Sequence, residues 1–66
     1  MINYDYPALI KKLRDKLIIF QGVLAKLFEV SFATINRWEN GHTEPTIKAK
    51  RKLFELCKEN GIKIEK

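Results

Sequence analysis

Residues 21–40 read QGVLAKLFEVSFATINRWEN, and this stretch decides how the rest of the chain is read. Leu24, Leu27 and Phe28 recur at helical spacing and predict a short helix from about Gln21 to Phe28 with these side chains inward. Glu29-Val30-Ser31 follows as a tight turn. Ser31 is a good N-cap, because its hydroxyl accepts from an otherwise unpaired N–H, and it opens a second helix from Phe32 to about Glu39. Asn40-Gly41 closes that helix, with Gly41 suited to the left-handed position beyond a helix end. Ala25 lies midway along the first of the two, where a small side chain lets the other cross closely. Val30 plugs the angle between them, and Ile35 and Trp38, three apart, face the core.

Two short helices joined by a three-residue turn have the layout of a helix-turn-helix. On a wheel of about 100° per residue, Phe32, Ala33, Asn36, Arg37 and Asn40 fall within roughly 140°, opposite Ile35, Trp38 and Thr34. The arc that does not serve the core thus carries two amides, a guanidinium, a methyl and an aromatic ring. These groups suit base edges: Arg forks onto guanine, Asn pairs with adenine, and Ala or Phe meets a thymine methyl.

Outward from this unit, Asp5 caps and Pro7 opens a helix from Tyr6 to Leu17, with Leu9, Ile10, Leu13 and Leu17 inward. Gly22 reflects either a close backbone approach or no constraint at all. After a loop at His42–Pro45, a last helix starts near Thr46 and runs to about Glu59, with Ala49, Leu53, Leu56 and Cys57 inward. Asn60-Gly61 ends it. The tail Ile62-Lys63-Ile64-Glu65 alternates like a strand, and either pairs with a partner or with residues 1–4, or stays loose.

Sixty-six residues bound the chain to a single domain spanning 1–66, able to bury about 60% of its unfolded surface. That leaves no room for an enclosed substrate cleft. The longest apolar run, Leu17–Phe20, is far short of the ~18 residues a membrane span needs. No signal peptide opens the chain, and the single Cys57 forms no internal disulfide, so the reading is cytoplasmic. Cys57 and His42 stand alone, so no metal site is expected. The formal charge is +5, and it is uneven. Residues 1–45 hold six Lys/Arg against five Asp/Glu; residues 46–66 hold seven against three, with Lys48, Lys50, Arg51 and Lys52 densest. Such a patch suits a polyanion, usually DNA, although a solvated Lys-rich helix looks the same by charge alone.

The spaced set Leu13-Arg14, Gln21, Leu24-Ala25, Val30-Ser31 and 34–41 (TINRWENG), closing at Pro45, resembles the XRE family of helix-turn-helix proteins, which includes lambdoid phage repressors and Cro. The resemblance covers about Leu9 to Leu56. It implies an all-α, compact, four- to five-helix lambda-repressor-like bundle, with the helix at 32–39 in the major groove. Phe32, Ala33 and Arg37 would face bases with Asn36 beside them. Gln21, Thr34, Asn40, the backbone of Gly41, His42 and Thr43, and Lys48 and Arg51 would contact phosphates. Arg14 and Glu39 match a pair that in relatives bridges the first and third helices. Two positions depart from the family. Glu29 stands where a positive φ usually calls for Gly, and Phe20 stands where a capping Ser, Thr or Asn is common.

These residues also have plainer readings. Trp38 is core, not a stacking platform. Cys57 is a small buried hydrophobe, a loop His42 is usually incidental, and Phe54 either lines a dimer interface or completes the core. The expected function is sequence-specific binding of double-stranded DNA as a small transcriptional regulator. No catalysis, cofactor, small-molecule ligand or membrane is expected. One Arg–guanine fork discriminates too weakly for a genome, so a homodimer on a two-fold site is expected. The alternatives are a targeting module of a larger DNA-modifying protein and a helix-turn-helix that binds an acidic protein, as antitoxins or antirepressors might.

Overall fold

The computed structural model describes residues 4–64. Four helices follow one another: α1 (Tyr6–Leu17), α2 (Gln21–Phe28), α3 (Phe32–Glu39) and α4 (Ile47–Glu59). No strand occurs among the described residues. Three helices start on a side-chain cap. Asp5 accepts from the Ala8 N–H, Ser31 from Thr34 and Thr46 from Ala49, each at 3.2 Å. α2 opens at Phe20 with no side-chain cap, as an aromatic residue there requires.

All four helices stop in the same way. One residue takes a left-handed conformation, and the N–H after it returns to a carbonyl of the last turn. The bonds are Ile19 N–H to Arg14 (3.2 Å), Val30 to Ala25 (2.9 Å), His42 to Arg37 (3.0 Å) and Ile62 to Cys57 (2.8 Å). The left-handed residue is Gly41 in α3 and Gly61 in α4, but Ile18 in α1 (φ 54°) and Glu29 in α2 (φ 56°). A β-branched side chain with positive φ is strained, and Ile18 is 89% exposed, so no burial offsets that strain.

Leu9, Ile10 and Leu13 of α1 meet Leu24, Ala25 and Phe28 of α2, Ile35 and Trp38 of α3, and Ala49, Leu53 and Cys57 of α4 in one core. Phe28 and Trp38 meet edge to face, with centroids 6.0 Å apart. Leu17 and Leu56 are half-buried, packed against this core. Leu27, expected inward, is exposed: Leu24, Ala25 and Phe28 fill the inner arc of α2, and Leu27 lies about 60° outside it on the wheel. Burial pushes the Cys57 thiol above its ordinary pKa, so the thiol stays protonated and inert in the folded chain.

At the C-terminal end the strand-like alternation gives packing, and no strand forms among the described residues. The turn at Gly61 brings Ile62 and Ile64 back onto the core as half-buried side chains. Pairing with residues 1–3 lies outside the described residues. Phe54 is taken up within its own chain: its ring lies 5.0 Å from Tyr4 and 6.3 Å from Tyr6. Lys50 caps that cluster, with Nζ 4.8 Å from the Tyr6 centroid and 3.1 Å from Glu44 Oε2. The hydrogen bond to Glu44 holds the Lys50 pKa above its ordinary value.

A Cβ at Gly22 would meet nothing within 4 Å, so no close approach requires glycine there. Gly22→Ala is expected to raise stability in urea unfolding by up to about 1 kcal/mol. Ile18→Gly removes a left-handed penalty of about 1–2 kcal/mol at an entropic cost of about 0.5–1 kcal/mol, so it too is expected to raise the midpoint.

Candidate nucleic-acid interface

The outward face of α3 carries Phe32, Ala33, Asn36 and Arg37, all exposed, and Asn40 continues it beyond the helix end. Phe32 is 57% exposed although large and apolar, so the core does not claim it. The Arg37 guanidinium makes no hydrogen bond or ion pair with any described residue. Gln21, the first residue of α2, reaches the same face: Asn36 Nδ2 donates to Gln21 Oε1 at 3.4 Å. Asn40 Nδ2 in turn donates to Asn36 Oδ1 (3.0 Å) and to the Asn36 carbonyl (2.9 Å). Five of the groups expected to meet DNA thus share one helix face, and Gln21 is tied to it from α2.

The expected phosphate donors fall into two groups. Some are already engaged. The Gly41 N–H donates to the Trp38 carbonyl at 3.2 Å and that of His42 to Arg37 at 3.0 Å, both closing α3. The Thr34 hydroxyl lies 2.9 Å from Ser31 Oγ, inside the cap. Others are open. Among the described residues the Thr43 N–H has no partner, and neither do the N–H groups of Gln21 and Gly22, because Phe20 brings no acceptor to them. Lys48 meets Glu29 at 3.7 Å, but both side chains are largely in water, and such a contact is worth little. Arg51 and Lys52 are exposed, whereas Lys50, from the same basic cluster, is held by Glu44 and Tyr6.

What holds α3 is an ion pair. Arg14 Nε donates to Glu39 Oε2 at 3.0 Å and Arg14 Nη2 to Glu39 Oε1 at 3.1 Å, a two-pronged bond from α1 to the end of α3. Glu39 is the one buried charged residue among those described, at 4% exposure. A carboxylate at a helix C-terminus also faces the negative end of the helix dipole, so it depends on its counter-charge twice over.

A sequence model of the family described as helix-turn-helix matches residues 10–66. The chain belongs to this family, of the XRE type. No curated protein and no solved structure matches it. Membership makes this a DNA-binding helix-turn-helix, with α2 and α3 as its two helices. Among the described residues no helix is long and apolar enough to cross a membrane. The spaced family motif locates Arg14 and Glu39 as a pair, and the structure joins them. The motif gave no sign of the amide contacts among Gln21, Asn36 and Asn40. The spacing of four between Asn36 and Asn40 was a usable signal for one of them; the contact across 15 residues to Gln21 was not.

Because Glu39 is the more deeply buried partner, the two truncations are expected to differ. Arg14→Ala strands a buried carboxylate and should cost about 3 kcal/mol or more. Glu39→Gln leaves Arg14, whose side chain is 26% exposed, partly hydrated and should cost less. Urea unfolding of the two variants checks this, and equal losses would refute the asymmetry.

Proposed function

We propose that this chain is a sequence-specific, non-enzymatic transcriptional regulator that binds double-stranded DNA as a homodimer, with α3 in the major groove. The observation that carries the proposal is the exposed, uncommitted Arg37 on a helix whose far end is clamped by Arg14 and Glu39. A rigid helix that presents a free guanidinium beside a methyl (Ala33) and a ring (Phe32) can fork onto a guanine and meet thymine methyls. The uncapped N–H groups at the start of α2, the Gln21 side chain, the Thr43 N–H, and Lys48 and Arg51 supply phosphate contacts on either side. The mechanism is occupancy. Cations displace counterions and supply salt-dependent affinity, and α3 adds sequence discrimination. Two-fold pairing is what would lift a single short recognition face to useful specificity, with half-sites about one DNA turn apart. Phe54 and the tail isoleucines pack against their own chain as half-buried side chains.

The test is selection from random-sequence duplex at about 0.1 M salt, where phosphate contacts still contribute strongly. An enriched palindrome is the expected result. A single enriched half-site would replace the dimer with a monomeric targeting module, and weak binding without enrichment would overturn sequence recognition and direct attention to a protein partner. On the selected site, Arg37→Ala is expected to relax the preference at one base pair by about 1–3 kcal/mol. Lys48→Ala should instead weaken all sequences alike and flatten the salt dependence by about one phosphate.

A further inference from the structure

Asn40, Asn36 and Gln21 form a chain of side-chain amides, and a backbone carbonyl sets its direction. The Asn36 carbonyl only accepts, so the atom of Asn40 that lies 2.9 Å from it is the nitrogen. That nitrogen is also 3.0 Å from the Asn36 side chain, which must therefore offer its oxygen. With Oδ1 turned toward Asn40, Asn36 points Nδ2 toward Gln21, and Gln21 must answer with Oε1. The Gln21 NH2 is then left facing away from the chain, with no partner among the described residues. Reversing Gln21 would set two NH2 groups against each other. The donor direction at the recognition face is thus imposed from the last turn of α3.

We infer that Asn36 is a positioning residue rather than a base reader: it holds the Gln21 amide with its NH2 outward, as a donor to a DNA acceptor. This rests on the DNA-binding reading above. Swinging the Asn36 side chain into a groove would break both of its hydrogen bonds. Keeping them leaves Gln21, at the uncapped start of α2, presenting donors where phosphate oxygens only accept.

The test compares Asn36→Ala, Gln21→Ala and the double variant with the parent chain. In the free protein, Asn36→Ala should shift the Gln21 side-chain NH2 resonances in a 15N–1H spectrum; unmoved resonances would overturn the amide chain. On the selected duplex, Asn36→Ala should weaken binding by about three- to tenfold, the scale of one hydrogen bond. The loss should be the same on every sequence, with the preferred base unchanged at each position. The double variant should bind no worse than Gln21→Ala alone. Relaxed preference at one base pair, or losses that multiply in the double variant, would make Asn36 a reader and overturn the inference. Arg37→Ala separates the two levels: if it leaves DNA binding unchanged, the reading of α3 fails and this role of Asn36 fails with it, while the NH2 resonances still report whether the amide chain exists.

Discussion

The Glu39 carboxylate lies almost out of water at the end of α3, and only Arg14 makes that position tenable. Leaving one ion of such a pair alone costs several kcal/mol, a large part of what a domain of this size has. The consequence is geometric. α3 has eight residues, too few to be stable in water alone, and a small apolar face would let it rock or slide. Ile35 and Trp38 hold its depth against the core. The two-pronged bond from Arg14 holds its rotation and its far end. The face that carries Phe32, Ala33 and Arg37 inherits its direction from a contact on the other side of the helix.

The short helices need firm ends, and the chain supplies four of one kind. Each stop returns an N–H to the last turn and turns the chain sharply, so α2 crosses α3 after only three residues. At Gly41 the left-handed backbone is free of penalty; at Ile18 and Glu29 it is not. The chain accepts that strain because the alternative, running α1 on through Ile18, would carry α2 away from the core that buries Leu24 and Phe28. These stops also consume donors. The Gly41 and His42 N–H groups are spent on ending α3, which leaves the Thr43 N–H and those at the start of α2 without a partner among the described residues.

Most of the fold was legible because its determinants are local. Asp5, Ser31 and Gly41 are capping signals read one residue at a time, and the helix bounds they imply are those observed. The left-handed conformation of Ile18 is not legible, because nothing in an isoleucine announces positive φ; only the packing of α2 demands it. Leu27 was placed inward on hydrophobicity, and the arc was already full. The tail alternates like a strand, yet a period of two over four residues also describes two side chains folded back over a glycine turn. At the interface, the spaced motif located the outward residues of α3. It did not show which of their polar groups were already spoken for, because that depends on contacts such as Asn36 with Gln21, across two helices.

That distinction bears on how the face would bind. Arg37 is long and untethered, and ordering it on a base costs side-chain entropy at the moment of contact. The amides of Gln21, Asn36 and Asn40 are ordered before any contact is made, so a bond from Gln21 carries less of that cost. A face built this way divides its work. Under the proposed function the pre-ordered amide would suit an acceptor that is present at every site, such as a phosphate oxygen, and would fix the register of α3. The untethered guanidinium would then meet one base pair at a time, and its ordering cost would be recovered only where a guanine completes the fork.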